Sequence, residues 1–283
     1  MKQEHIFIPE AVFPIGKKRL LMQYLRWLPA KLGLINKTAF LFQIRKINPD
    51  DIFLVSYPKS GNTWLRFILA YLKNGTSATI NFHELETIVP DVYVSKDIID
   101  NQSSGRIIKT HDIFFEGYPR VIYIHRDYRD ALISYYHFVL AYKFFSGTFS
   151  EFIRSNIVLR HGSWKQHIKA MKMYQKQHPD KILVLSYESL LNNFNETILS
   201  INRFCGFKNP VNIELLKEKT SFTELKKIEN EFGSRFMSNT KQNFVREGKS
   251  GGWKSFYSKE DLEFLYSDKE LVSLMNELGY SVE

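Results

Sequence analysis

One stretch of the chain joins an apolar run to a helical pattern: Ser56-Tyr57-Pro58-Lys59-Ser60-Gly61-Asn62-Thr63-Trp64. The run before it, residues 52–55, has the length and composition of a buried strand, and apolar residues recur with helical spacing over residues 63–73. A glycine-containing turn between a strand and a helix offers free backbone N–H groups and the positive end of the helix dipole. Lys59 adds a positive charge. The stretch therefore predicts a loop that binds phosphate or sulfate.

The order of residues in this loop differs from that of a P-loop NTPase. That motif requires Gly, four further residues and then Gly-Lys-Ser/Thr, whereas Lys59 precedes Gly61 here. No apolar run that ends in an Mg²⁺-binding aspartate follows downstream. We therefore expect a site that requires no metal. From the loop alone, an ordinary strand-to-helix turn is the alternative, because Pro, Gly and Asn are all turn residues.

Four short apolar runs alternate with longer helical patterns. The runs are 52–56, 106–110, 121–125 and 182–187, and the clearest helical patterns are 63–73, 127–142 and 164–178. This alternation predicts an α/β fold with a central parallel sheet flanked by helices on both faces. The sequence has no internal repeat and no Pro/Gly-rich linker, so we expect one domain over residues 1–283. Ligands of such sheets bind at the carboxyl ends of the strands.

The overall charge favours an anionic partner. The formal net charge is +9, and such a balance suits nucleic acid, acidic lipid or a phosphorylated small molecule without choosing among them. The basic residues are spread along the chain rather than clustered, and this argues against nucleic-acid binding.

Cysteine usage and hydropathy bear on the compartment. Cys205 is the one cysteine and has no metal-ligand neighbours, so we expect a core thiol in a reducing compartment. No run approaches the ~18 apolar residues of a membrane span, and no signal peptide is visible. We therefore expect a cytoplasmic protein. Residues 17–44 are basic and amphipathic, and we expect them to form a helix packed on the core rather than on a membrane surface.

Polar side chains also follow the second and third predicted strands. Lys109-Thr110-His111 ends one strand, Arg126 follows the next, and Ser134 lies two helical turns further on. A histidine at a strand end can act as a general base near neutral pH, although a lone histidine is more often structural. The planar fork of an arginine suits a phosphate group. The neighbouring charges also fit a helix-capping cluster, which comprises Asp127, Arg129 and Asp130.

These motifs together resemble a known enzyme family. The loop resembles the 5′-phosphosulfate loop of sulfotransferases that use 3′-phosphoadenosine 5′-phosphosulfate (PAPS), where Pro-Lys-Ser-Gly-Thr-Thr-Trp is usual and Asn62 is a mild variant. The resemblance continues in order from about residue 51 to residue 256. It includes Gly162-Ser163-Trp164, which resembles a family segment near the acceptor. The resemblance implies a PAPS-dependent sulfotransferase that releases 3′-phosphoadenosine 5′-phosphate (PAP) and needs no metal.

The resemblance also implies which residues hold the donor. The 5′-phosphosulfate would lie on the loop, and Arg126 with Ser134 would hold the 3′-phosphate. Tyr187 would lie near the adenine, and Trp64 and Phe222 would cover its two faces, because aromatic rings stack well on a purine. The complete donor set comprises Lys59, Ser60, Gly61, Asn62, Thr63, Trp64, Arg126, Ser134, Tyr187, Thr220, Ser221, Phe222, Arg246 and Gly248.

Residues 244–254 resemble the family's Arg-Lys-Gly-x-x-Gly-Asp-Trp-Lys loop, with two departures. Glu247 stands where a lysine is usual and Gly252 where an aspartate is usual. The resemblance implies that Arg246 and Gly248 close over the 3′-phosphate. The glycines of this segment are typical of a lid.

The implied mechanism is in-line transfer with four catalytic residues. His111 would take the acceptor proton, and Lys59 would neutralise charge on the bridging oxygen of the departing PAP. Lys109 would support the equatorial sulfuryl oxygens. Ser134 would contact the 3′-phosphate and engage Lys59 before the acceptor arrives.

The acceptor is the least specified part. We expect a hydroxyl group of a small molecule, such as a natural product, with N-sulfation of an amine or carbamoyl nitrogen as the alternative. Three segments are expected to be acceptor loops, namely 80–105, 144–162 and 226–243. Their acidic residues favour a polar or cationic acceptor, and they are Glu84, Glu86, Asp91, Asp97, Asp100, Glu229 and Glu231.

Two other classes of function and two oligomeric states remain open from the sequence. A metabolite kinase-like phosphotransferase is disfavoured by the order of Lys59 and Gly61, and a nucleic-acid-binding module rests on net charge alone. The chain is expected to be a monomer or a homodimer. The family's dimer segment is matched at Lys254 and Glu263, but Ser258-Lys259 stands where Thr-Val is usual.

Overall fold

A computed structural model describes residues 44–113, 117–233 and 248–282 of the chain. Its described part contains one parallel sheet of four strands in the order β2-β1-β3-β4. The strands are β1 (Ile52–Val55), β2 (Ile107–Thr110), β3 (Arg120–His125) and β4 (Ile182–Ser186). All four predicted strands are confirmed to within a residue or two at their ends. The predicted helix over residues 17–44 lies outside the described residues except for Ile44.

Twelve α-helices connect and cover these strands within the described residues. They are α1 (Asn62–Asn74), α2 (Phe82–Ile88), α3 (Lys96–Asn101), α4 (Tyr128–Ala141), α5 (Phe149–Ile153), α6 (Trp164–Gln177), α7 (Tyr187–Asn192), α8 (Phe194–Cys205), α9 (Ile213–Lys219), α10 (Phe222–Phe232), α11 (Lys259–Tyr266) and α12 (Lys269–Glu277). Within this part of the chain, none of the helices combines the length and the apolar character needed to cross a membrane. The three helices predicted from periodicity correspond to α1, α4 and α6.

The strands are continuous apolar runs because helices cover both faces of the sheet. Alternate side chains point to opposite faces, so Phe53 and Val55 enter one core and Ile52 and Leu54 enter the other. The first core contains residues of α4, α6 and α12, and the second contains residues of α1, α8 and α10. The predicted α/β fold with a central parallel sheet is therefore confirmed.

The expected acceptor loops are partly helical, so that element of the prediction was wrong. Residues 80–105 contain α2 and α3, and residues 144–162 contain α5. Both α2 and α5 begin with a capping box, formed by Asn81 with Glu84 and by Thr148 with Glu151. Such a box satisfies the free N–H groups of a first helical turn and stabilises helices too short for periodicity to reveal.

A buried ion pair fixes the amino ends of the two strands that carry the site. Arg106 donates from Nε to Asp51 Oδ1 at 2.8 Å, and the two side chains are 1% and 0% exposed. Each residue immediately precedes its strand, and Ile52 then pairs with Ile107. The same register brings Ser56 and His111 opposite each other where the strands end. The pair therefore contributes to the geometry of the site, which lies five residues further along each strand.

Replacing Arg106 with leucine is expected to lower the free energy of unfolding by about 3–5 kcal/mol, because it leaves the Asp51 carboxylate buried without its cation. Chemical denaturation followed by circular dichroism measures this loss. Lys172→Met is the control, because its ion pair with Glu277 is exposed and its loss should cost less than about 1 kcal/mol. Equal losses in the two variants would show that the buried pair does not stabilise the fold.

Candidate active site

Each of the four strands delivers a functional side chain at its carboxyl end. The 56–64 loop follows β1, His111 follows β2, Arg126 follows β3 and Tyr187 follows β4. The strand order places β1 between β2 and β3. The chain therefore passes from β1 to β2 on one side and then crosses to β3 on the other side of β1. A crevice forms at such a switch point, and in parallel sheets this is where ligands bind.

The phosphate loop turns sharply because two of its residues have left-handed backbone conformations. Lys59 has φ +67° and Gly61 has φ +94°. A Cβ atom added at Gly61 would lie 2.4 Å from Cδ2 of Tyr187, so only glycine fits there. A lysine with positive φ is strained by about 1–2 kcal/mol. Such strain is often found at functional sites, and here it turns the chain at the residue expected to touch the reacting group.

The first turn of α1 has no side-chain cap, and three buried polar atoms in or beside it, including Asn62 Oδ1, have no partner among the described residues. Gly61 occupies the N-cap position and provides no side-chain hydrogen bond. Ser60 Oγ and Trp64 Nε1 are buried without a hydrogen-bond partner among the described residues. Unpaired buried donors are rare in native proteins and call for an explanation. The loop therefore has the donors that a phosphosulfate group requires.

Backbone contacts fix the tautomer of His111. Its Nδ1 lies 2.8 Å from the carbonyl oxygen of Ser56, and its backbone N–H donates to the Tyr93 hydroxyl at 2.9 Å. A carbonyl oxygen can only accept, so Nδ1 carries the proton and Nε2 of the neutral ring keeps a lone pair. The imidazole is therefore set to accept a proton at Nε2.

Burial keeps this imidazole neutral. Burial lowers the pKa of His111 well below its usual value, and the positive charge of Lys109 and the proximity of His161 lower this pKa further. Lys109 itself donates to Asp91 at 3.0 Å. A base that is already neutral at pH 7 needs no prior deprotonation.

Arg126 connects the phosphate loop to the segment that begins at Gly248. Its guanidinium donates to the carbonyl oxygens of Lys59 at 3.4 Å and Lys249 at 2.6 Å, and it lies 4.3 Å from the ring centroid of Tyr187. Arg126 Nε is buried without a hydrogen-bond partner among the described residues. This unpaired N–H is available to an anion in the cavity.

The segment after Gly248 is held by the start of α4. Asp130 accepts from the backbone N–H groups of Gly251 at 2.6 Å and Trp253 at 3.0 Å. Gly248 has φ +64°, and an added Cβ would lie 3.1 Å from Phe222 Cβ. Asp130 therefore provides a carboxylate at a segment where the family's usual aspartate is replaced by Gly252.

The expected capping cluster is present for Asp127 and Arg129, whereas Asp130 holds the segment at Gly251 and Trp253 instead. Asp127 accepts from the backbone N–H of Arg129 at 2.9 Å and forms an ion pair with its guanidinium at 2.7 Å. These two residues therefore cap and brace α4.

A cavity of about 670 Å³ brings most of the predicted site residues together. Thirteen of them line it: Lys59, Gly61, Asn62, Thr63, Trp64, Lys109, His111, Arg126, Ser134, Tyr187, Thr220, Phe222 and Gly248. Ser60 is buried beneath the loop. Ser221 caps α10 by accepting from Glu224 N–H, and it does not line this cavity. Arg246 and Glu247 lie outside the described residues.

The sequence analysis missed several residues that line the same cavity. His161 lies 5.4 Å from His111 between ring centroids, and Tyr93 lies 5.4 Å from His161. Burial lowers the pKa of His161 to about 3, so it is neutral as well. Arg160 and Phe138 also line the cavity. Tyr93 lies in the predicted acceptor segment 80–105, and Arg160 and His161 lie in the predicted segment 144–162, directly before Gly162-Ser163-Trp164.

Four of the seven acidic residues that favoured a cationic acceptor have structural roles in the protein. Glu84 accepts from the backbone of Asn81, and Glu86 forms an ion pair with Arg66 at 3.0 Å. Asp91 pairs with Lys109, and Asp100 accepts from the backbone of Arg45. These four residues therefore have a structural explanation and do not indicate a cationic acceptor.

Sequence comparisons identify related proteins. The model of the sulfotransferase domain family matches residues 49–274. Sulfotransferase 1B1 of the dog, Canis lupus familiaris, is 28% identical over 237 residues, covering 74% of this chain and 79% of that protein. Sulfotransferase 1B1 of the mouse, Mus musculus, is 30% identical over 247 residues, covering 76% and 80%.

Structural comparisons identify the same fold. Mouse sulfotransferase SULT7A1 in complex with PAP superposes with a TM-score of 0.64 at 21% identity, covering 86% of this chain and 90% of that one. Retinol dehydratase in complex with androsterone and PAP gives a TM-score of 0.61 at 19% identity, covering 82% of each chain. At such identities the similarity shows a shared fold.

Gly61→Ala is expected to lower the free energy of unfolding by about 2–4 kcal/mol, because it adds both backbone strain and a clash with Tyr187. Gly206→Ala is the matched control. Gly206 has φ +71° but nothing lies within 4 Å of an added Cβ, so only the strain of about 1–2 kcal/mol should appear. Denaturant titration measures both. If both variants lose the same free energy, Tyr187 does not restrict this loop.

The pKa of His111 is expected to lie below 6.5, and Lys109→Met should raise it. Removing the lysine removes a positive charge that disfavours the imidazolium, while burial, the larger cause, still keeps the pKa low. Proton–carbon NMR of histidine-labelled protein across a pH titration measures both values. A wild-type pKa above 6.5, or a downward shift in the variant, would contradict this electrostatic description.

Proposed function

The chain belongs to the sulfotransferase family and is a PAPS-dependent sulfotransferase, and from that premise we propose that it transfers the sulfuryl group to a hydroxyl group of a small molecule. The observation that carries this proposal is the neutral His111, whose Nδ1–H is held by the Ser56 carbonyl in the same cavity as Lys59. A hydroxyl must lose a proton as it attacks, and a fixed neutral imidazole can accept that proton.

The donor is proposed to lie with its phosphosulfate on the 56–64 loop. The uncapped N–H groups at the start of α1, the Ser60 hydroxyl and the Lys59 ammonium would bind its oxygens. Asn62 and Thr63 lie in the first turn of α1 and would add backbone and side-chain donors. A helix N-terminus provides this charge stabilisation without metal.

The 3′-phosphate is proposed to bind Arg126 and Ser134. By resemblance to the family, Gly248 and Arg246 are proposed to cover this phosphate. The unpaired Nε of Arg126 supports this assignment, because a buried guanidinium N–H prefers an anionic acceptor. Lys249 lines the same cavity, and its positive charge also favours binding of the 3′-phosphate there.

The adenine is proposed to lie among the aromatic side chains of the cavity. Trp64 and Phe222 would contact its faces and Tyr187 its edge. The rings of Trp64 and Tyr187 pack edge to face, 5.5 Å apart, and this holds both in place. Thr220 and Ser221 would help to fix the start of α10, from which Phe222 projects.

The proposed reaction forms one S–O bond and breaks another. The acceptor oxygen attacks sulfur and its proton passes to Nε2 of His111. The bond between sulfur and the bridging oxygen of PAP then breaks, and Lys59 neutralises the charge that develops on that oxygen. Lys109 stabilises the equatorial oxygens from its position beside Asp91. Positioning and charge stabilisation would provide most of the acceleration.

An oxygen acceptor is favoured over an amine by the charges of the cavity. Asp91 is the one carboxylate among the described residues that line it, and it already pairs with Lys109. An ammonium group would therefore meet mostly positive side chains. The retinol dehydratase structure is a complex with androsterone and PAP, which supports a small-molecule acceptor for a protein of this fold. N-sulfation remains the alternative that a product analysis distinguishes.

His111→Ala and Arg126→Ala are expected to have opposite effects. Loss of the base should lower kcat by about 10²–10⁴-fold with little change in PAP affinity. Loss of Arg126 should weaken PAP binding by about 10- to 100-fold, because a charged hydrogen bond to phosphate is lost. Steady-state kinetics with an acceptor panel, read by mass spectrometry, and calorimetric titration of PAP measure these quantities.

His83→Ala is the control for this pair, because His83 is exposed on α2 and does not line the cavity. Its activity and PAP affinity should match those of the unaltered protein. Full turnover in His111→Ala would overturn the base assignment.

A further inference from the structure

Two basic side chains line the cavity on the acceptor side without an ion-pair partner. Arg160 precedes His161, and Lys143 follows the end of α4. Both are exposed at the rim and line the same cavity as His111. Among the described residues, no carboxylate lies within ion-pair distance of either. Their charges are therefore available to a ligand.

The backbone at Lys143 is unusual for a lysine. Its φ is +56°, and the N–H of the next residue, Phe144, donates to the Val139 carbonyl at 2.8 Å as α4 ends. Glycine normally occupies the left-handed position after a helix, because a side chain there is strained. A lysine at this position is unfavourable for stability, and a role for its charge would explain it.

An aromatic wall leads from the reacting end of the cavity to this basic rim. Lys59 Nζ lies 4.8 Å from the ring centroid of Phe138, and the centroids of Phe138 and Phe144 are 6.3 Å apart. The guanidinium carbon of Arg160 lies 5.9 Å from the Phe144 centroid. Phe144 is 53% exposed. An exposed aromatic ring that lies near Arg160 and directly follows Lys143 in the chain provides an apolar surface for the body of a ligand.

We propose that the acceptor is an amphipathic anion with three parts. Its hydroxyl lies at His111, its apolar or aromatic body lies along Phe138 and Phe144, and an oxyanion, of which a carboxylate is the simplest, binds Arg160 and Lys143. This proposal rests on the proposed function and adds the chemical class of the acceptor. The planar fork of Arg160 can donate two hydrogen bonds to a carboxylate.

The test compares two probes of the same shape, 4′-hydroxybiphenyl-4-carboxylate and its neutral carboxamide. Both present a hydroxyl and two rings, and only one carries a charge. Sulfation by the full-length protein with PAPS is measured by mass spectrometry. At low salt, kcat/KM for the carboxylate is expected to exceed that for the carboxamide by about tenfold, mainly through KM. About 0.3 M salt should reduce this preference, because both cations are exposed.

Arg160→Gln is expected to lower the carboxylate-to-carboxamide ratio to about one, and Arg160→Glu to reverse the preference. Arg203→Gln is the matched control. Arg203 is exposed in the last turn of α8. The carbonyl of the next residue, Phe204, contacts Arg120 at the amino end of β3, which is the opposite end of the sheet from the cavity. That variant should keep the ratio of the unaltered protein.

Lys143→Gly provides an independent test because stability and recognition should change in opposite directions. Glycine relieves the left-handed strain, so the melting temperature is expected to rise by about 2 °C. The carboxylate preference is expected to fall about threefold. A purely structural role for Lys143 predicts the rise in melting temperature without the loss of preference.

The outcomes separate this proposal from the proposed function. Sulfation of both probes at equal kcat/KM, unaffected by Arg160→Gln, would leave the sulfotransferase function intact and overturn the anionic acceptor. If neither probe is sulfated, the affinity of each probe for the PAP-saturated protein tests the anion site instead. Carboxylate binding that depends on Arg160 supports the anion site, and its absence overturns it. Sulfation of a hydroxyl in either probe supports the proposed function in every case.

Discussion

The structure depends on a turn that most residues could not make. Between β1 and α1 the chain reverses through Lys59 and Gly61, both with positive φ, and Gly61 packs directly against the ring of Tyr187. This packing draws the end of β4 onto the start of α1. It also leaves the first turn of α1 without a side-chain cap. The same constraint therefore leaves free N–H groups at the proposed anion site and places the Tyr187 ring beside them.

The sheet order brings residues from the neighbouring strands next to this local turn. Because β1 lies between β2 and β3, the residues after these strands, His111 and Arg126, lie on either side of the loop. The Asp51–Arg106 pair fixes the register of β1 and β2 at their other ends. That register allows the Ser56 carbonyl to select the tautomer of His111. The strand order therefore determines how the strands pack, which residues face each other at their ends and which nitrogen of His111 carries the proton.

The sequence predicted the strands and most of the residues that line the end of the cavity near α1, because both depend on local pattern. Strands buried on both faces are short apolar runs, and the order of Lys59 and Gly61 separated this loop from an ATP-binding one. The helices of residues 80–105 were missed because α2 and α3 are too short to show periodicity, although the capping box at Asn81 marked the first. The acidic residues were misleading because ion-pair partners such as Arg66 and Lys109 are distant in sequence.

The predicted acceptor segments 80–105 and 144–162 contain Tyr93, Phe144, Arg160 and His161, but the roles of these individual residues could not be predicted because they come together from separated parts of the chain. Arg160 and His161 come from the turn before α6, Lys143 and Phe144 from the end of α4, and Tyr93 from the segment after α2. None belongs to a local motif with its own chemistry. Whether a charged residue is available to a ligand depends on which ion pairs form in the folded chain, and the sequence does not reveal those pairs.

The central claim is that the 56–64 loop holds the donor with Lys59 at the bond that breaks. The most direct measurement compares Lys59→Met with Lys176→Met, an exposed control on α6. It follows single-turnover transfer from ³⁵S-labelled PAPS to a hydroxyl acceptor, alongside the affinity for PAP. We predict that Lys59→Met slows transfer by about 10²–10³-fold, as expected when charge stabilisation of a transition state is lost, while PAP affinity falls by less than about tenfold. Unchanged transfer in Lys59→Met would contradict the account.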